Sequence, residues 1–335
     1  MNNKKILLVG GCGFIGHNLA IHLKRLGADP IIVDSLTVNN ILSIADEEIK
    51  NKELYSSILN NRIELLNKSD IKLIKQDVRD HHAISKIYKE INPDIIIHLA
   101  AVSHANKSNK DPHSTFEHSF RTLENTLDYA KINKTHIIYM SSSMVYGNFE
   151  SEDVKEERIC NPIGIYGTLK YSGELLVKAY NHVFDIPYTI IRPSALYGER
   201  CVSRRVGQIF IENAIQNLGI TINGNGEEKL DFTYIDDLIN GISLCCSNKN
   251  AINETFNLTY GKSKKINELI EILKNEFPKV KISYKEKEKF MPERGTLDIS
   301  KAKKLIGYNP INPINTGYIK YISWYKKFWD NFKRD

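Results

Sequence analysis

The chain has 335 residues, 41% of them hydrophobic and 26% charged, the balance of an ordinary globular protein long enough for one large α/β domain and a smaller one. No apolar run approaches the roughly 20 residues of a membrane span. The net charge of +6 is spread along the chain without a nucleic-acid motif or concentrated basic stripe, so the expected anionic partner is a phosphate-bearing small molecule.

Met1 to Lys5 leads straight into an apolar run, with no h-region and no small-residue cleavage site, so no signal peptide is expected. Residues 6–9 read as a strand ending in glycines. Residues 14–26 follow as a helix with Ile15, Leu19, Leu23 and Leu26 on one face, closed by Gly27. Further strands are expected at 30–33, 71–75, 95–99, 136–140 and 188–192. Continuous apolar strands between helices predict a parallel sheet covered on both faces. Residues 37–70 interrupt the repeat as a helical insertion with no function legible in its residues. A helix is expected at 166–182.

Beyond residue 195 the texture changes: Gly219, Gly224 and Gly226, helical patterns at 236–246 and 266–277, and short strands at 255–258 and 281–284. These predict a smaller α+β lobe at the sheet edge. The division is residues 1–194 for the sheet domain and 195–335 mainly for the lobe, with some chain crossing back. The aromatic and basic tail, 318–333, is expected to be a closing helix docked on the core, in preference to a helix lying at a membrane surface. Cys12, Cys160, Cys201, Cys245 and Cys246 are odd in number and lack metal-ligand spacing. They read as reduced thiols in a cytoplasmic protein without a bound metal.

Gly11-x-Gly13-x-x-Gly16 lies directly between a strand and a helix. Glycine permits the tight turn and the close approach of a pyrophosphate, and the helix N-terminus offers free N–H groups. Asp34, 18 residues beyond Gly16, ends the second strand. A carboxylate there accepts from both ribose hydroxyls and repels a 2′-phosphate, which selects NAD over NADP. Asp77 closes the third strand, either to reach the adenine amino group or to cap the next helix. Tyr166 and Lys170 are neighbours at i and i+4, and an ammonium beside a phenol makes the phenol a better general base. The run Ser141-Ser142-Ser143 follows the fifth strand, about 24 residues upstream, where its hydroxyls face the crevice in which α/β sheets bind ligands.

Together these residues resemble the extended short-chain dehydrogenase/reductases of the sugar-nucleotide epimerase/dehydratase family. The match also runs through His98-Leu-Ala-Ala101, Val145-Tyr-Gly147, Arg192-Pro193, Tyr197-Gly198, Asp231-Phe-Thr-Tyr234, and Arg294 ahead of Asp298-Ile-Ser300. The resemblance implies a Rossmann-type, doubly wound parallel sheet that holds NAD and a C-terminal lobe that holds a nucleotide sugar. It implies Tyr166, Lys170 and Ser142 as catalytic residues, Ser142 standing three before Val145. It implies Gly10, Gly13, Phe14, Ile15, Gly16, Asp34, Asp77, Val78, Leu99, Ala100 and Ala101 as cofactor contacts, with Tyr166 and Lys170. It also implies a homodimer built on a four-helix bundle from residues 114–131 and 166–182 of each subunit.

Departures narrow the chemistry. Dehydrating relatives carry Asp-Glu directly after the catalytic hydroxyl, decarboxylating ones a Glu before the Val, and keto-reductive 3,5-epimerases a Cys there. This chain has Ser143 and Met144, neither of which moves a proton at neutral pH. The expectation is an NAD-dependent nucleotide-sugar 4-epimerase, with a nucleotide-sugar oxidoreductase as the alternative and a non-catalytic NAD-binding regulator behind both. Ala195, Leu230 and His118 replace an Asn, an Arg and an Asn usual in the family. Ser143, Arg200, Arg204, Arg205 and Arg294 are the expected substrate contacts, the three clustered arginines standing in for the lost polar residues as forked diphosphate donors.

Overall fold

In the computed structural model, described for residues 1–38, 40–45, 49–103, 105–150, 153–286 and 292–334, seven parallel strands form one central sheet. They are β1 (Lys5–Val9), β2 (Asp29–Asp34), β3 (Lys72–Lys75), β4 (Ile95–His98), β5 (His136–Met140), β6 (Tyr188–Arg192) and β7 (Glu254–Asn257), in the order β7-β6-β5-β4-β1-β2-β3. Leu7 of β1 lies opposite Ile31 of β2 and Ile96 of β4. The strand order reverses between β1 and β4, and ligands bind such sheets beyond the carboxyl ends of the strands at that crevice.

The strands alternate their side chains between two covered faces. Ile6, Leu8 and Ile32 join one core with Leu19 and Leu23 of α1 (Phe14–Arg25) and Leu54 and Ile58 of α2 (Lys52–Lys68). Leu7, Val9 and Ile96 face the other way, against Ile84 and Tyr88 of α3 (His81–Ile91) and Tyr129 of α4 (Thr122–Asn133). Ile137 and Ile190 of β5 and β6 meet Leu123 of α4 and Val177 of α5 (Ile165–Phe184). This is the expected doubly wound architecture.

After β6 come α6 (Val206–Ile215), α7 (Ile235–Ser247), α8 (Ile266–Glu276) and α9 (Ile314–Phe332). Residues 255–258 and 236–246, placed by the sequence in the smaller lobe, belong to the sheet side. Thr255 of β7 pairs with Ile190 of β6, and Ile242 and Leu238 of α7 share the core of Leu19 and Leu23. A short apolar run announces a strand but not its neighbour, so the sequence could not tell which sheet would take it. Strand Ile220–Asn223 pairs in parallel with Ile282–Lys285, and Lys229–Leu230 pairs with Lys264–Lys265, beside α6 and α8. In α9, Tyr318, Tyr321 and Tyr325 are fully buried, so the aromatic tail is docked on the core. Among the described residues no helix is long and apolar enough to cross a membrane. The insertion consists of a short helix, Ile41–Ala45, and α2, with Asn39 and residues 46–48 outside the described residues.

Candidate active site

A cleft of about 1500 Å³ opens at the carboxyl ends of the strands and runs between the sheet and the smaller lobe. The glycine loop forms one end. Gly10 has φ +77°, and a Cβ there would lie 2.7 Å from the backbone of Ala100. A Cβ on Gly16 would lie 2.4 Å from the Gly11 carbonyl oxygen, so glycine is what lets α1 seat on the turn. The first turn of α1 has no side-chain cap and no acidic residue, which leaves its N–H groups and positive dipole end for an anion. One Asp34 oxygen accepts from the Cys12 amide at 2.9 Å and the other from the Leu36 amide at 2.8 Å. Burial raises the Asp34 pKa, opposed by those two amides and the nearby Arg62 charge. Each oxygen keeps a lone pair for a ribose hydroxyl.

Gly13, Phe14, Ile15, Val78, Leu99, Ala100 and Ala101 line the same groove. Asp77 also lines it, tied to Arg79 through contacts of 2.6 to 3.1 Å. Asp77 is not the cap of α3; Asp80 is, accepting from the Ala83 amide at 3.0 Å.

Tyr166, at the start of α5, and Ser142 both line the cleft. Burial raises the phenol pKa, while Arg205, Ser142 and Arg294 pull it back down. Lys170, one turn further along α5, lines the same cleft. Its Nζ donates to the Met140 carbonyl at 2.7 Å and lies 5.2 Å from the centre of the Tyr139 ring. Burial pushes its ammonium down to about 8, opposed by the charge of Glu174. A shared helix face therefore brings Lys170 into the site, but the cations that act on the phenol come from the other lobe.

Arg294 is half-buried, with its guanidinium on the hydroxyls of Ser143 and Ser194, the latter at 3.1 Å, and on the Met144 sulfur at 2.8 Å. Burial and the like charge of Arg205 push it down to about 10. Arg205 crosses the cleft to the Ser103 carbonyl at 3.0 Å, and Arg204 also lines the cleft. Arg200 does not line it. Its guanidinium pairs with Glu199 at 2.9 Å and lies 5.8 Å from the centre of the Trp324 ring, because the backbone turns through a positive φ of 63° at Arg200. Behind the site, Glu174 and Arg192 form a buried bidentate pair at 2.9 and 2.6 Å, and Ser141 donates to the same carboxylate.

The model of the NAD-dependent epimerase/dehydratase family matches residues 6–259. The chain belongs to that family. A putative UDP-glucose 4-epimerase of Methanocaldococcus jannaschii is 31% identical over 96% of this chain and 98% of its own length. UDP-glucuronate 4-epimerase 4 of Arabidopsis thaliana is 26% identical over 99% of this chain and 78% of its own. Among solved structures, the UDP-glucuronic acid 4-epimerase of Bacillus cereus, in complex with UDP-glucuronic acid and NAD, superposes with a TM-score of 0.86. It is 27% identical and covers 96% of this chain and 99% of that one.

Within this epimerase/dehydratase frame the departures acquire physical content. Ala195 has φ +37°, a backbone that Asn tolerates better than Ala. His118 lines the cleft from a π-helical turn, Glu117–Arg121, and burial lowers its pKa. The family's Asp-Phe-Thr-Tyr stretch serves structure. Asp231 is fully buried, accepts from Thr259, Gly261 and Leu297 at 2.9 to 3.2 Å, and is raised to about 6 by burial. Sequence reasoning missed Arg62, which α2 of the insertion delivers into the cleft lining. A lone arginine on an amphipathic helix gives no signal of that.

Proposed function

We propose that this chain is an NAD-dependent nucleotide-sugar 4-epimerase, with Tyr166, Ser142 and Lys170 as its catalytic residues. The observation that carries the reading is the meeting of Tyr166, Ser142 and Lys170 in the lining of one cleft, large enough for two ligands and lined also by Arg205 and Arg294. The cofactor is NAD. The glycine loop, the uncapped start of α1 and the half-used Asp34 carboxylate fit its adenosine pyrophosphate half. When bound, NAD supplies the hydride acceptor and donor that no side chain provides.

The chain's own residues do the rest. Tyr166, as phenolate, takes the proton from the sugar C4 hydroxyl and returns it after the 4-keto sugar has presented its other face. Ser142 holds the same oxygen. Lys170, anchored on Met140, presents the remainder of its ammonium to the cofactor ribose. Arg204, Arg205 and Arg294 hold the diphosphate while the sugar swings, which separates binding from reaction. Ser143 donates toward the sugar and, with Met144, leaves no acid or thiol at the positions that serve dehydration or 3,5-epimerisation. The five free thiols suit a reducing cytoplasm, and the exposed apolar stripe of α5 suits a homodimer.

Purified protein given a panel of nucleotide sugars is expected to interconvert C4 epimers without added cofactor. Tyr166→Phe is expected to lose about 10²–10⁴-fold in turnover with NAD still bound. Stoichiometric reduction of NAD with release of a keto sugar and no epimer would favour the oxidoreductase reading. NAD binding without turnover on any sugar would favour a regulator.

A further inference from the structure

Arg62 is 2% exposed and sits on α2, inside the insertion that interrupts the sheet domain. Its Nε and Nη2 both donate to the carbonyl of Arg200, at 3.0 and 2.5 Å. Arg200 is the residue held at φ +63°, a conformation that strains a non-glycine residue and persists only where its surroundings fix it. Among the described residues Nη1 has no hydrogen-bond partner, and the side chain lines the cleft together with the glycine loop and Asp34. Its charge acts on Asp34, on Cys12 within the loop and on His17 at the start of α1. A buried guanidinium with one unused edge, beside the carboxylate that takes the ribose, is placed for the phosphate–ribose edge of a nucleotide.

The insertion has a second attachment. Asn51 and Tyr55 donate to Glu212 of α6 at 3.1 and 2.7 Å. Tyr325 of α9 and Gln208 donate to its other oxygen at 2.6 and 2.8 Å. The segment 200–212, which includes Arg204 and Arg205, is therefore gripped by the insertion at both ends.

On the strength of the NAD reading above, we propose that the insertion is a strut coupling the two halves of the cleft. Arg62 presents Nη1 to the adenosine ribose–phosphate edge of NAD and, through the Arg200 carbonyl, sets the loop that carries Arg204 and Arg205. Cofactor binding then fixes the substrate loop before substrate arrives. Arg62 contacts the cofactor directly and positions the substrate loop indirectly.

Two measurements test this. In the unaltered protein freed of nucleotide, hydrogen exchange of residues 199–212 is followed as NAD is added without sugar. The amides are expected to slow as NAD saturates. Calorimetric titration then compares NAD affinity in Arg62→Met, Arg62→Lys and Tyr55→Phe. Removing a charge-assisted contact predicts about tenfold or more weaker NAD binding for Arg62→Met. The KM for nucleotide sugar is expected to rise by a similar factor with kcat changed far less. Tyr55→Phe, which loosens only the Glu212 end, is expected to keep parental NAD affinity. Arg62→Lys, which keeps the charge but not the fork, is expected to fall between parent and Met, and serves alone if the Met variant does not fold. NAD bound at parental affinity by the Arg62 variants, or unchanged exchange in 199–212 on saturation, overturns the proposal. Failure of the parent to bind NAD at all overturns the cofactor reading instead.

Discussion

Tyr166 is half-buried, and the desolvation of its phenol opposes the charged form, so the proposed role as a base depends on nearby cations. The strongest of these is Arg205, ahead of Arg294. Arg205 is exposed in the open cleft, so in the free enzyme its charge acts on the phenol through solvent-screened space. In the proposed mechanism the phenolate is the active form, so kcat/KM is expected to rise with pH through the phenol's apparent pKa. Arg205→Met removes a stabiliser of the charged form and is expected to move that rising limb to higher pH. Below the limb, each unit of displacement costs tenfold in rate, by the usual titration arithmetic. Arg205→Lys, which keeps the charge, is expected to restore part of the displacement. Loss of substrate affinity alone would raise KM without moving the limb, so pH profiles of both variants separate the two effects. An unmoved limb in Arg205→Met would show that the phenol does not sense this charge.

At the scale of elements, the site rests on the junction of α5 with β6. Glu174 and Arg192 are both almost wholly buried, and Arg192 also donates to Tyr146 and the Glu156 carbonyl at 2.8 and 3.0 Å. Taking one partner away leaves the other charged and dry, so Glu174→Gln is expected to cost about 3–5 kcal/mol in denaturant unfolding. The double variant Glu174→Leu with Arg192→Met is expected to lose less than the two single changes together; strict additivity would refute the pair. Neither residue was legible as a partner of the other. The sequence showed Arg192-Pro193 and a helix after Tyr166, but an 18-residue separation across a helix and strand has no local signature. What the sequence did show was whatever repeats locally: alternating strands and helices, a glycine turn between β1 and α1, a carboxylate ending β2. What it hid was settled by tertiary contact. The run at 255–258 became a sheet edge, Arg200 turned out of the cleft at a positive φ, and Lys170 took the Met140 carbonyl as its hydrogen-bond partner.

For the whole molecule the open question is what covers α5. Its inward stripe, Gly167, Lys170, Gly173, Glu174 and Val177, is buried against the sheet. Its outward stripe runs Thr168, Leu175, Ala179 and Val183, with Leu175 51% and Val183 65% exposed. Beside it Arg121, at the end of the π-helical turn, and Glu124, Asp128 and Lys131 of α4 face outward and pair as Arg121–Glu124 and Asp128–Lys131. An apolar centre with a charged rim is the anatomy of a protein interface, and a 20-residue helix is long enough to serve a twofold contact with a second copy. The two helices thus have unequal parts: α5 supplies the apolar contact and α4 the edge. Leu175→Lys puts an unpaired charge at the centre, on the axis side of both subunits at once, and is expected to give a monomer in sedimentation where the parent gives a dimer. Arg121→Ala lies on the rim, breaks only an exposed pair worth less than about 1 kcal/mol, and is expected to leave the dimer intact. A monomeric parent would refute the interface, and a Leu175→Lys protein that still sediments as a dimer would move it to another face. Because Tyr166 lies in the first turn of the same helix, the proposed dimer contact and the proposed base share one element, so that in such a dimer the subunit contact would brace the helix that carries Tyr166.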